Sequence, residues 1–92
     1  MMTREDLAAR IAEVSLLKGE FTLRSGRTSH YYLDKYLFST QPDILESLGK
    51  LFAERLGDGV NKLAGAELGG IPLVTVASLA SGLPCVFIRN QK

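Results

Sequence analysis

Cysteine, histidine, tryptophan and net charge are all scarce in this sequence. Its one cysteine, Cys85, allows no intrachain disulfide, so a disulfide-stapled secreted module is excluded. Cys85 sits in the apolar run Cys85-Val86-Phe87-Ile88 and is expected to be a buried, inert thiol. With one cysteine, one histidine and no carboxylate pair at helical spacing beside them, the chain has no zinc-type ligand cluster. His30 has no Ser, Cys or Asp partner at a catalytic spacing, so a surface imidazole is expected rather than a general base. The 11 basic residues against 10 acidic ones leave +1, which gives nucleic acid or an anionic membrane nothing to attract. The start turns acidic at Glu5-Asp6 with no apolar core behind it, unlike a signal peptide. One uncharged stretch, Ile71 to Ile88, is long enough to raise a membrane span. Ser78, Ser81, Gly82 and Pro84 interrupt it, so a buried helix, a turn and a buried strand fit better. A cytoplasmic protein is expected.

What remains is ordinary globular material: 46% hydrophobic and 23% charged residues are too apolar for a disordered chain. At 92 residues it is one domain or part of one, since domains commonly run to about 100–150 residues. A chain this short buries only about 60–65% of its unfolded surface, which leaves a thin core.

Leu7, Ile11 and Val14 recur at helical spacing, and Thr3 with Asp6 resembles a capping box, which predicts a helix from about residue 3 to 15, ending before a break at Lys18-Gly19. Phe21 to Arg24 reads as a short strand, Ser25-Gly26-Arg27 as a turn and His30 to Asp34 as a second strand, together a hairpin. Pro42-Asp43 opens a second helix with an apolar stripe of Ile44, Leu45, Leu48, Leu51, Phe52 and Leu56, and Gly57 is placed to end it. Its charges Glu46, Lys50, Glu54 and Arg55 read as a solvated face with pairs at i, i+4. Lys62 to Ala66 (strand), Ile71 to Ala80 (helix) and Cys85 to Ile88 (strand) then form a βαβ unit. Continuously apolar strands are the pattern of a parallel sheet covered on both faces, with a right-handed crossover. Two parallel strands stand poorly alone, so the chain is expected to be the front of a longer domain. No repeat or linker divides it.

Three places are candidates for chemistry, and each has a plainer reading. The Glu67-Leu68-Gly69-Gly70 loop joins a strand end to a helix start, where backbone N–H groups and the helix dipole favour an anion; glycines there often serve geometry alone. Arg24, Arg27 and Lys35 surround Tyr31-Tyr32, which suits a planar anionic ligand by stacking and charge-assisted hydrogen bonds. Alternation puts the two tyrosines on opposite sides of the strand, so the plainer version is a solvated hairpin with one tyrosine in the core. Arg89 follows the last strand, at the same sheet edge as the glycine loop, or is simply exposed.

Together these segments resemble a known family. Phe21-Thr22-Leu23-Arg24-Ser25-Gly26-Arg27-Thr28-Ser29-His30-Tyr31-Tyr32-Leu33-Asp34 resembles the N-terminal signature of orotate phosphoribosyltransferases. Ala66 to Leu73 resembles that family's first phosphate-contacting loop, and Gly82 to Arg89 resembles the strand leading to its mobile catalytic loop. The resemblance implies an α/β type I phosphoribosyltransferase fold, truncated here: an N-terminal hood of helix plus β-hairpin over about 1–40, then a helix and the first βαβ unit of a Rossmann-like parallel sheet over about 41–92. It implies transfer of a phosphoribosyl group from phosphoribosyl pyrophosphate to orotate, with Mg²⁺ bound mainly through the pyrophosphate, in a cytoplasmic homodimer without nucleic-acid or membrane partners. Residue by residue it puts Tyr32 and Leu33 along orotate, and Arg24, Leu68, Gly69, Arg89 and Asn90 on phosphoribosyl pyrophosphate. Some members have Lys at the position of Gly69 and commonly at that of Asn90, and an aromatic is frequent where Leu33 stands. The family's catalytic lysine and its acidic-pair and Thr-Thr-Gly motif are not among these residues, so the chain alone is expected to be inactive. The alternatives are a non-catalytic orotate- or nucleotide-binding module, a self-associating structural half-domain, and a phosphoribosyltransferase for another base, against which the Phe21-to-Asp34 match argues.

Overall fold

Helix α1 (Arg4–Ser15) starts where the capping pattern places it. In a computed structural model that describes residues 2–91, the Asp6 N–H donates to Thr3 Oγ1 at 3.0 Å and the Thr3 N–H to Asp6 Oδ2 at 3.2 Å. Asp thus completes the box despite a side chain one carbon shorter than the usual Glu. The helix does not run into a loop. Leu16 closes it through its N–H to the Ala12 carbonyl while already extended (φ −82°, ψ 112°).

Strand β1 (Leu16–Thr22) therefore begins earlier than the expected Phe21 and pairs antiparallel with β2 (Thr28–Leu33), Leu16 opposite Leu33 and Thr22 opposite Thr28. The register slips between Lys18 and Phe21, where Gly19 at φ +152° supplies a conformation that other residues adopt poorly. What reads as a break in the sequence is a bulge inside one strand. The turn is correspondingly wider than Ser25–Arg27: the Leu23 N–H donates to the Arg27 carbonyl at 2.7 Å, which takes Leu23 and Arg24 out of the strand.

Residues Leu37–Thr40 form a short 3-10 turn leading to α2 (Pro42–Glu54), which has Pro at its first position as expected. Ile44, fully buried, anchors its apolar stripe. The helix stops at Glu54, and Arg55 caps it with N–H bonds to the Ala53 and Phe52 carbonyls, before Gly57 is reached. The expected i, i+4 ion pairs on α2 do not form. The salt bridges among the described residues instead join Arg10 to Glu13 (3.1 Å) and to Asp43 (2.9 Å), with a third bond from Arg10 to Gln41 Oε1 at 3.2 Å. Arg10 so fastens α1 to the start of α2. Its hydrogen bond, with its charge, holds the Asp43 carboxyl below the usual aspartate range.

Strands β3 (Leu63–Ala66) and β4 (Cys85–Ile88) pair in parallel, Leu63 opposite Cys85 through Ala66 opposite Ile88, joined by α3 (Gly70–Ser81). Gly82 ends α3 at φ +78° with its N–H on the Ser78 carbonyl at 2.9 Å, so the turn expected of Gly82-Leu83-Pro84 begins as a left-handed helix stop. Close approach sets two glycines. A Cβ on Gly65 would lie 2.5 Å from the Gly70 carbonyl oxygen and 2.6 Å from Val74 Cγ1, and one on Gly49 would lie 2.6 Å from the Val76 carbonyl oxygen. These fix how tightly α3 lies on β3 and α2 on α3.

The expectation that both sheet faces are covered is not met. Residues opposite each other in a parallel pair share a face, so Leu63, Gly65, Cys85 and Phe87 lie on the α3 side, where Phe87 is still 53% exposed. Ala64, Ala66, Val86 and Ile88 on the other face are exposed, and no element among the described residues packs there. Cys85 is a half-buried free thiol rather than a buried one, because β4 is an edge with only α3 against it. No helix is long and apolar enough to cross a membrane, and Ile71 to Ile88 is divided between α3 and β4.

Candidate functional site

The loops leaving β3 and β4 meet at one edge of the sheet. Beyond the last paired residues, Ala66 and Ile88, the Glu67 N–H donates to the Ile88 carbonyl at 2.9 Å and carries the ladder one step further. The Glu67 side chain then crosses to the other loop, where Oε1 accepts the backbone N–H of Asn90. The peptide bond from Glu67 to Leu68 is cis, and the Leu68 carbonyl accepts the Ile71 N–H at 3.1 Å to start α3. Four residues singled out in the sequence, Leu68, Gly69, Arg89 and Asn90, are thus gathered where two strands end and a helix begins. That is where an anion finds free N–H groups and the positive end of a helix dipole. Arg89 is exposed and forms no salt bridge among the described residues.

Gly69 has ordinary helical angles (φ −63°, ψ −26°), so conformation does not require glycine there. The neighbour in the direction a side chain would take is Tyr36, whose Cε1 would lie 3.4 Å from a Cβ on Gly69, an ordinary van der Waals contact. Tyr36 is itself held by Asp34: Oδ1 accepts the N–H groups of Tyr36 at 2.8 Å and Leu37 at 3.1 Å. The Asp34 N–H donates to the carbonyl of Ser15, a fully buried residue at the end of α1. Sequence reasoning gave no part to the Glu67 carboxylate, the Asp34 side chain or Tyr36. An Asp heading a turn two residues before an aromatic is a readable Asx-turn signal; the partner of Tyr36, far along the chain, is not readable.

The hairpin supplies the other candidates. Arg24 lies exposed in the turn, and Tyr32 stands opposite Leu17 with its ring tilted 36° against Phe21 at a centroid distance of 5.8 Å. One tyrosine in the core was the plainer expectation, yet Tyr31 and Tyr32 are 63% and 43% exposed, and Leu33 is exposed as well. Both faces of β2 are open because no helix packs on the hairpin beyond the end of α1. Among the described residues no hydrogen bond or salt bridge joins Arg24, Tyr32 or Leu33 to the Glu67–Gly69 loop; Asp34 and Tyr36 make the link. Two hollows lie elsewhere: about 460 Å³ between α1 and α2, with charges of both signs, and about 430 Å³ along β3, lined by Phe52, Leu56, Leu63 and Leu73. Neither includes the strand-end residues Arg89 and Asn90.

No family model matches the chain. It is 51% identical over 72 residues to an orotate phosphoribosyltransferase of Methanocella arvoryzae, covering 78% of this chain and 41% of that protein. It is 45% identical over 93 residues to one of Methanopyrus kandleri, covering 100% of this chain and 50% of that protein. The chain is homologous to part of the orotate phosphoribosyltransferases. Its fold agrees: the crystal structure of the Mycobacterium tuberculosis H37Rv orotate phosphoribosyltransferase in complex with inorganic phosphate matches with a TM-score of 0.83 at 29% identity, over 95% of this chain and 54% of that one. The architecture is therefore that of a type I phosphoribosyltransferase, and the chain spans about half the length of the relatives it matches.

Proposed function

We propose that this chain supplies the hood and the first phosphate loop of an orotate phosphoribosyltransferase, which joins orotate to the ribose of phosphoribosyl pyrophosphate. In that reaction the N1–C1′ bond forms and the C1′–O bond to pyrophosphate breaks. The leaving group keeps the electron pair, and orotate N1 gives up its proton. The observation that carries the reading is the meeting of Leu68, Gly69, Arg89 and Asn90 at one sheet edge, in a chain related to these enzymes along its whole length.

The work assigned to these residues is binding and charge stabilisation. A transition state with cationic sugar character leaves negative charge on the departing pyrophosphate, and preorganised donors stabilise charge most where it develops. Arg89 and the N–H groups at Gly69 and Asn90 meet that charge. The Asn90 N–H has to exchange its bond to Glu67 for a phosphate oxygen or be held beside one. Arg24 reaches over from the hairpin turn, and Tyr32 and Leu33 offer their exposed faces to the flat, anionic orotate. Mg²⁺ would add positive charge to the pyrophosphate. The chain's own residues do not fit a resident metal site: no three potential ligands cluster among the described residues, and the loop carboxylate, Glu67, is bonded to Asn90. The ion belongs with the substrate. A cytoplasmic homodimer whose partners are small molecules completes the reading.

The test is orotate consumption with phosphoribosyl pyrophosphate and Mg²⁺, by the complete gene product and by residues 1–92 alone. Consumption by the first and none by the second is expected. A complete protein that leaves orotate untouched sinks the function, and turnover by residues 1–92 sinks the assignment of catalysis to residues outside them.

A further inference from the structure

We infer that Tyr36 is a positioning residue for the phosphoribosyl pyrophosphate loop, holding Gly69 from the hood side. The inference rests on the reading of that loop given above. Three observations carry it. Gly69 needs no special backbone angles, and the atoms within 4 Å of a Cβ placed on it belong to the Tyr36 ring, with Cε1 at 3.4 Å, so the ring lies beside this side of the loop. Tyr36 is itself fixed through its backbone, by the Asp34 carboxylate at 2.8 Å, and Asp34 is fixed by its N–H on the Ser15 carbonyl at 2.9 Å. Such a chain of bonds from a buried helix end fixes the backbone that carries the ring. And the ring is not core: Tyr36 is 53% exposed, so it stands beside Gly69 at the surface, at the place where the ligand arrives.

Loop N–H groups are useful to an anion only if they point at it before it binds, because the cost of ordering them otherwise subtracts from affinity. An aromatic ring beside a glycine limits how far the loop can swing toward the hood without adding a side chain at that position. Asp34 directly follows Tyr32-Leu33, so the same short segment carries the orotate-side residues and the brace for the pyrophosphate-side loop.

The experiment measures dissociation constants for phosphoribosyl pyrophosphate with Mg²⁺, and separately for orotate, on the complete protein. The variants are Tyr36→Phe, Tyr36→Ala and Asp34→Asn, each with its melting midpoint. Tyr36→Ala is expected to weaken phosphoribosyl pyrophosphate by about tenfold, the worth of one charge-assisted bond, while orotate affinity changes by less than about twofold. Tyr36→Phe should bind as wild type, because the ring and not the hydroxyl makes the contact. Asp34→Asn, which keeps an acceptor oxygen for the two N–H groups, should fall between. Equal losses for both ligands, tracking the melting midpoint, overturn the inference in favour of a purely structural tyrosine, as does wild-type affinity in Tyr36→Ala. A wild-type protein that binds neither ligand overturns the functional reading itself, and the inference with it.

Discussion

Replacing Gly49 with alanine sets two opposed effects against each other, and the structure decides the sign. Gly49 is buried in the middle of α2, and glycine in a helix interior is less favourable than alanine by about 1 kcal/mol, so propensity alone makes Gly49→Ala stabilising. The new methyl, however, would lie 2.6 Å from the carbonyl oxygen of Val76, 3.1 Å from its carbonyl carbon and 3.2 Å from its Cβ. Carbon–oxygen contacts settle near about 3.3–3.6 Å, so the helices must part by about 0.7 Å. The oxygen is backbone and bonded into α3, so no side-chain rotation can absorb the shift. A gap of that size forfeits roughly a quarter to a half of the dispersion energy across it, and overpacking of this kind costs typically about 1–3 kcal/mol. With the clash on backbone atoms, the upper end applies. Subtracting the propensity gain leaves a net loss of about 2 kcal/mol. Urea unfolding of the complete protein measures it, with Gly57→Ala as control: Gly57 has nothing within 4 Å and no positive φ, so its change should stay within about 1 kcal/mol of wild type, on the stabilising side. A Gly49→Ala protein as stable as wild type, or more so, would refute the packing account.

Thr3→Ala removes the side-chain half of the capping box and should cost about 1 kcal/mol of stability by thermal or urea unfolding, with Thr3→Ser close to wild type. Gly65→Ala would press a methyl to 2.5 Å from the Gly70 carbonyl oxygen at the start of α3, so it should weaken phosphoribosyl pyrophosphate as well as lower stability, read by titration and melting together. The Asp43 carboxyl is held below its ordinary value by the Arg10 hydrogen bond, so its contribution is present above the unfolded aspartate value of about 3.9 and is lost as pH falls through the lower folded value. Melting midpoints of wild type and Arg10→Met, compared over pH 2–6, should differ most at the upper end and converge at the acid end; a constant difference would contradict it.

Most of the element order is legible because most of it is local. The spacing of Leu7, Ile11 and Val14, the Thr3–Asp6 box, Pro42 at a helix start and Gly82-Leu83-Pro84 at a helix stop act within a turn or two of themselves, and each element stands where they put it. The errors come where a local signal has two meanings. Lys18-Gly19 reads as a break after α1, yet Gly19 serves a bulge, because pairing with β2 over Leu16–Lys18 and again at Phe21–Thr22 keeps the chain extended on both sides of it. Gly57 reads as a helix stop, yet α2 has already ended at Glu54. The two-sided burial inferred from β4 was a statement about partners, and Val86 and Ile88 have none among the described residues.

The site divides along the same line. Leu68, Gly69, Arg89 and Asn90 are legible as one site because parallel strands joined by a helix must bring their C-terminal ends together, so the loops after β3 and β4 become neighbours whatever their side chains are. The Glu67–Asn90 bond and the Tyr36–Gly69 contact follow from no such rule, since each depends on the path of a side chain between elements far apart in sequence. Yet these contacts give the edge its working geometry. Topology delivers Asn90 to the loop, and the Glu67 carboxylate orients it. Topology leaves Gly69 bare, and an aromatic from the hood stands beside it. On the proposed function, a phosphate arriving at this edge would meet the Glu67 carboxylate already at Asn90, and binding there would be a competition between two anions for one N–H. The arriving charge would prevail only where Arg89 and the start of α3 outweigh the carboxylate it displaces.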